Sequence, residues 1–309
     1  MIRCLLLLTI LLSGLQAIAA DRPKPNIVLI FTDDQGFYDL STQGHPTIKT
    51  PNIDRLAKEG TRFTDFYVAA SICIPSRRAM MTGVYPDRKQ RGKNVPMLPA
   101  VLKQAGYATG LIGKWHLGSK AGSLPTDHGI DEFFGTLASN NSVTALMRGT
   151  EVFRDPFENS HLTQTPTREA LNFIDKNHEQ PFFLYLAHNA PHWPIPVSKA
   201  FEGKSEMGKP YGDSIEEIDW SVGQILDRLK HHELTEKTLV IYTSDNGPRG
   251  QDGGAATPHR GNKWGFLEGS QRVPCLMRWP GRIPAGKVCD EVASSLDFLP
   301  TFAHLAGAQ

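Results

Sequence analysis

The chain has 309 residues, of which 40% are hydrophobic, with 33 basic and 32 acidic side chains. A net charge of +1 gives no electrostatic footprint for a nucleic-acid partner and no acidic tail. The composition is that of a globular protein with apolar residues for one large α/β core or two smaller ones, free of repeats and low-complexity segments.

The N-terminus reads as a targeting segment. Met1-Ile2-Arg3 is a short basic start, Leu5 to Leu12 is an apolar run, and Ala17-Ile18-Ala19 supplies a small-residue cleavage site. Residues 1–20 are therefore expected to be a signal peptide and 21–309 the working domain, in a periplasmic or extracellular setting. The apolar run is too short for a transmembrane anchor, and no later stretch is long and apolar enough to span a membrane. Export would remove Cys4 and leave Cys73, Cys275 and Cys289. The last two flank a Pro/Gly-rich turn region, Arg278 to Lys287, so they either pair in an oxidising compartment or stay separate thiols.

In chain order, Asn26 to Thr32 is a continuous apolar run of strand length that ends in Asp33-Asp34. Pro51 to Gly60 reads as a short helix with a Pro start and a Gly stop. The strand-like run Arg62 to Ala69 leads into Cys73 to Gly83. There Pro75 suits the first helical position, Ala79, Met80 and Met81 favour helix, and Gly83 is a stop. Cys73 is thus expected at the N-terminal mouth of a helix, where free N–H groups and the dipole favour an anion. Arg77, one turn further in, can reach back with a forked donor. A lone cysteine without further context is more often buried and inert.

Val95 to Ala105 predicts a short helix broken near Pro99. Tyr107 to Ile112 predicts a strand, followed by Lys114-Trp115-His116. Leu124 to Gly135 reads as loop, and Ser139 to Phe157 is irregular. Pro166 to Asn177 is an amphipathic helix, and Phe182 to Ala187 is a buried strand followed by His188 and His192. Asp213 to Lys230 has helical spacing of its aliphatic residues. Leu239 to Thr243 is a buried strand that ends in Ser244-Asp245-Asn246-Gly247; Val273 to Trp279 is another strand and Leu296 to Leu305 a final helix.

Buried strands alternating with helices predict an α/β fold, with a large, mostly parallel sheet covered by helices on both faces. Four apolar strands end in Asp33-Asp34, in Lys114 with His116, in His188 with His192, and in Asp245-Asn246. Ligands of open α/β sheets sit outside the carboxyl ends of the strands, so these groups are expected on one rim. Each Asp or Asn pair alone is an ordinary turn signal. Together they offer three carboxylates and an amide oxygen, a hard donor set suited to Ca²⁺ or Mg²⁺ rather than zinc. His192 lies in a stiff Ala-Pro-His-Trp-Pro segment and suits proton transfer, with His188 the weaker candidate. Lys263, taken by its own context, is a solvated loop lysine.

Cys73-Ile74-Pro75-Ser76-Arg77 followed by Thr82-Gly83 resembles the signature of the type I, formylglycine-dependent sulfatases, within the alkaline-phosphatase-like superfamily. Thr50 to Ala57, Gly113 to Gly118, Ala190 to Pro194, Ser244 to Gly247, Glu268-Gly269 and Arg272-Val273-Pro274 extend the resemblance in the family's order. The resemblance implies an arylsulfatase-like hydrolase of sulfate esters. It implies that Asp33, Asp34, Asp245 and Asn246 bind Ca²⁺ or Mg²⁺. Cys73 would be converted by a maturation enzyme to formylglycine, whose hydrate is the nucleophile. Arg77 and His116 would position and activate it, and Lys114 and Lys263 would hold the sulfate. His192 or Lys263 would assist the leaving oxygen, and Ser139 corresponds to a sulfate-contacting serine. Family members usually continue past the helix resembled by Leu296 to Leu305 into a small antiparallel C-terminal domain, so a C-terminally truncated catalytic domain is expected here. Two other readings stay open: a phosphonate or phosphate ester hydrolase on the same fold, and an inactive homologue that keeps a binding surface.

Overall fold

The computed structural model describes residues 24–86 and 95–308; the expected signal peptide, residues 1–20, lies outside them. In chain order the strands and α-helices begin with β1 (Asn26–Thr32), α1 (Pro51–Glu59), β2 (Thr61–Phe63), β3 (Phe66–Tyr67), α2 (Cys73–Thr82) and α3 (Leu98–Gln104). They continue with β4 (Ala108–Lys114), β5 (Glu132–Thr136), β6 (Leu146–Arg148), β7 (Glu151–Arg154), α4 (Gln164–Asn177), β8 (Phe182–Ala187) and α5 (Pro210–His231). The last are β9 (Thr238–Ser244), α6 (Glu268–Gln271), β10 (Cys275–Arg278), β11 (Lys287–Cys289), β12 (Ala293–Ser294) and α7 (Phe298–Ala306).

One 10-stranded sheet runs β11-β2-β10-β9-β1-β8-β4-β5-β6-β7, and β12 pairs β3 in a two-stranded sheet. The centre is parallel: β1 lies between β9 and β8, and β4 lies between β8 and β5. β10 runs antiparallel to both its neighbours, and the β5-β6-β7 edge is antiparallel. The sheet is therefore mixed, with a parallel core, as the near-continuous apolar strands require.

The pleat of β1 divides the core. Val28 and Ile30 pack with Ile53 of α1, Phe173 of α4 and Ile218 of α5. Ile27, Leu29 and Phe31 pack on the other face with Met80 of α2, Leu98 of α3 and Phe302 of α7. Each such buried aliphatic side chain contributes roughly 2 kcal/mol. Both faces are thus covered, and α2, which carries Cys73, belongs to the second. Among the described residues, no helix is long and apolar enough to cross a membrane.

Several local expectations are corrected. The run Arg62 to Ala69 is two short strands in different sheets. Residues 124–135, read as loop, contain the start of β5, and the irregular stretch holds the β6–β7 hairpin. Pro75 is the third residue of α2, whose first is Cys73. Pro99 starts α3 from its second position and does not break it. Of the two alternatives for Cys275 and Cys289, separate thiols are realised: both are free. They face Phe63 from opposite sides of β2. Two interstrand spacings put their Cα atoms about 10 Å apart, beyond the reach of a disulfide.

Candidate active site

The parallel centre of the sheet sets the site. β9, β1, β8 and β4 are neighbours and point the same way, so their carboxyl ends share a rim. Main-chain bonds extend this register past the strands. The Asp245 N–H donates to Thr32 O (3.1 Å), the His188 N–H to Phe31 O (2.9 Å) and the Asp33 N–H to Ala190 O (3.0 Å). Asp34 has φ 67°, a left-handed bend at which its N–H donates to Asp245 Oδ1 (3.1 Å).

Cys73 is the first residue of α2, and Ile72 before it supplies no side-chain cap, so the first helical N–H groups stay open toward the rim. Gly83 ends the helix at φ 65°, donating its N–H to Ala79 O. Cys73 Sγ lies 3.4 Å from Asp33 Oδ1 and 3.8 Å from Asp34 Oδ1, and Lys263 Nζ lies 3.1 Å from the sulfur. Burial, with Asp245 and Asp33 beside it, pushes the Cys73 thiol well above its ordinary value. The thiolate is therefore disfavoured despite the helix mouth, and an unmodified Cys73 is a poor nucleophile at this position.

Cations face the carboxylates. Lys114 Nζ is ion-paired with Asp33 and donates to Ser139 Oγ (2.7 Å). Lys263 Nζ lies 2.6 Å from Asp34 Oδ1. Arg77 is fully buried; its Nε donates to Asp245 Oδ2 (2.9 Å), while Nη1 donates to Lys114 O (3.3 Å) and the Tyr185 hydroxyl (3.2 Å). Burial alone would raise the Asp33 carboxyl, but Lys114, His192 and Arg77 hold it well below the usual carboxylate range. Asp245 is pushed up to about 7 by burial and by the Asp33 charge.

His192 Nε2 is 3.7 Å from Asp34 Oδ2, and its Nδ1 donates to Trp193 O (2.6 Å), since a carbonyl can only accept. That bond orients the ring with Nε2 toward the carboxylates. His116, at φ 60°, is pushed down to about 3 by burial and by Lys114, so its imidazole is neutral. His188 is buried under the rim, 3.4 Å from Ser221 Oγ, and takes no part in the cluster.

The side chains fit a hard dication. Ligand atoms of Asp33, Asp34, Cys73 and Asp245 lie within 4.8 Å of one another. Asn246 Nδ2 donates to Asp34 Oδ1 (2.7 Å), while its own Oδ1 is buried without a partner among the described residues. An orphaned amide oxygen beside three carboxylates is the donor set expected of Ca²⁺ or Mg²⁺. Asp33, Asp34, Asp245 and Asn246 are the residues that would hold it.

Of the twelve residues singled out in the sequence, eleven therefore lie at this rim and His188 lies beneath it. Tyr185 was missed. It sits mid-strand in an apolar run, and its lone hydroxyl among Phe and Leu residues was the available signal.

Residues 25–308 match the family described as Sulfatase. The N-acetylgalactosamine-6-sulfatase of Canis lupus familiaris is 38% identical over 345 residues, an alignment that takes in 98% of this chain and 66% of that protein. The chain thus spans about two thirds of the length of that relative. The crystal structure of Ps i-CgsB in complex with k-i-k-neocarrahexaose superposes with TM-score 0.84 at 36% identity, covering 93% of this chain and 72% of that one. The PsFucS1 sulfatase from Pseudoalteromonas sp. gives TM-score 0.86 at 29% identity, covering 96% and 70%. The chain belongs to the sulfatase family.

Proposed function

We propose that the protein hydrolyses sulfate esters carried on saccharides, with formylglycine made from Cys73 as the source of the nucleophile and with Ca²⁺ or Mg²⁺ at the carboxylate cluster. One observation carries the reading: Cys73, a poor nucleophile as a thiol, stands at a helix mouth among Asp33, Asp34, Lys263 and, through Asp33, Lys114. The names of the relatives, an N-acetylgalactosamine-6-sulfatase and a neocarrahexaose complex, support a sulfated sugar as the substrate class. The basic start and apolar run before Ala17-Ile18-Ala19 support export to the periplasm or beyond.

Formylglycine hydrate at position 73 would supply an oxygen nucleophile, and a dication held by Asp33, Asp34, Asp245 and Asn246 would supply Lewis-acid charge beside the sulfate. Lys114 and Lys263 hold those oxygens with charge-assisted bonds, and Ser139 fixes the Lys114 ammonium. Neutral His116 accepts the proton of the attacking hydroxyl. As the S–O ester bond breaks, His192 or Lys263 gives a proton to the departing alcohol oxygen. Arg77 positions Asp245 and closes the floor of the site through Tyr185.

The test is the intact mass and carbonyl reactivity of the Cys73 peptide after co-expression with a formylglycine-generating enzyme, followed by assays on an aryl sulfate and an aryl phosphate. An aldehyde at residue 73 and a preference for the sulfate are expected. An unconverted Cys73 in an active protein, or a strong preference for the phosphate, sinks the reading.

A further inference from the structure

Three residues that the chemistry above leaves unused stand just outside the site. Trp193 directly follows His192, Trp264 directly follows Lys263, and Arg249 comes shortly after Asn246. Trp193 is 51% exposed and Trp264 59%. The Arg249 guanidinium carbon lies 5.9 Å from the Trp193 ring centroid and 5.8 Å from that of Trp264, so one cation is shared by two half-exposed aromatic rings. Lys263 Nζ, which touches Cys73 Sγ, is 5.2 Å from the Trp264 ring. The aromatic wall and the reacting position are therefore contiguous.

The arrangement is built and not incidental. The Lys263 N–H donates to Pro248 O (2.9 Å) and ties the Trp264 loop to the Arg249 loop, while the Trp264 N–H donates to Ser71 O (3.0 Å). Trp264 holds φ 68°, a left-handed conformation that bulky side chains rarely adopt. Backbone strain of this kind persists where the surroundings over-determine it. Scattered exposed apolar residues are ordinary on a protein surface, but two tryptophans sharing one arginine beside the nucleophile position form a patch with a chemistry of its own. Arg249 Nη1 is 3.4 Å from Asp252, and its Nε and Nη2 donate to the Gln251 amide oxygen, so of its five N–H groups one on each Nη stays for a second anion, on a guanidinium about a quarter exposed.

An aromatic face takes the C–H face of a pyranose, and an arginine fork takes a sulfate or carboxylate. We infer that the mouth of the cleft is a subsite for the sugar next to the one bearing the scissile sulfate, in which Trp193 and Trp264 stack on sugar rings and Arg249 binds a second anionic group. The substrate class is then an anionic oligosaccharide with charge on adjacent rings. This rests on the sulfated-saccharide reading above.

The experiment is calorimetric titration of the unmatured Cys73 protein, loaded with calcium, so that no turnover is needed. The probes are hexasaccharides of ι-carrageenan and of chondroitin 6-sulfate, and the monosaccharide N-acetylgalactosamine 6-sulfate. At least one hexasaccharide is expected to bind about tenfold more tightly than the monosaccharide. Trp193→Ala and Trp264→Ala should each narrow that ratio about fivefold. Trp193→Phe and Trp264→Phe should restore most of it, and Arg249→Ala should narrow it and flatten its salt dependence. A wild-type ratio near one, or a ratio that all three alanine variants leave unchanged, overturns the subsite. Failure of Cys73 conversion, or preference for aryl phosphate, overturns instead the reading of the reaction and leaves this ratio intact.

Discussion

Arg77 is the residue on which the charge balance of the site turns. Its guanidinium is buried between Asp245 and Asp33 and over the Phe31 ring, and it also reaches a carbonyl and a hydroxyl. Removing one partner of a buried charge set leaves the others uncompensated. Arg77→Ala should therefore lower unfolding stability by about 3–5 kcal/mol in urea titrations. Arg77→Lys should refold better yet lose most turnover, since an ammonium cannot reproduce the fork. His188 gives a second test. Burial pushes its imidazole down from 6.5 to about 4, so folding excludes a proton that the unfolded chain binds. Its contribution is present above pH 6.5 and is lost as pH falls toward 4. His188→Leu should flatten the fall in stability across that window by about 3 kcal/mol. Most of the reactive residues were legible because they follow a buried strand or stand in the first turns of a helix, whereas Lys263 and Ser139 were legible only through the family resemblance. Trp193, Trp264 and Arg249 were not, because their relation exists only once three separate loops meet.

Gly113 shows how one backbone position governs an element. It sits in β4 at φ 112°, and a Cβ there would come within 1.8 Å of Ala187 O on β8. Any side chain must push the two central strands apart and shift Lys114, the next residue. Gly113→Ala is expected to cost about 2–4 kcal/mol in chemical denaturation and to weaken inorganic sulfate binding in parallel. A loss of stability without a loss of sulfate affinity would separate β4 from the site. The elements that sequence reading found were those buried along their whole length, such as β1, β8 and β9. β7 escaped because all its residues are exposed and carry no alternation. β5 escaped because Gly and Asp residues precede it in a stretch that reads as turn. The break between β2 and β3 is likewise set by their partners β10, β11 and β12, which come more than two hundred residues later.

At the scale of the whole molecule, three buried carboxylates at the junction of β1 and β9 tie stability to metal. A dication bound only by the folded state adds about 2.7 kcal/mol at a hundred times its Kd. Calcium should therefore raise the Tm and a chelator lower it, and Asp245→Asn should remove most of that difference; differential scanning calorimetry reads both. The sheet topology was legible in its parallel core, from continuous apolar strands alternating with helices. Strand order was not, because β1 is flanked by strands that come late in the chain.

The burial of Cys73, 5% exposed, has a consequence in time. Lys263, which covers its sulfur, comes 190 residues later in the chain. At synthesis rates of about 5–20 residues per second, some 10–40 s separate the two residues. The oxidation proposed for Cys73 then has a deadline, since an enzyme must grip the segment around it before β9 and the Lys263 loop close over the rim. A maturation enzyme added to the folded protein should leave Cys73 as cysteine, whereas the same enzyme added to unfolded or nascent chains should convert it.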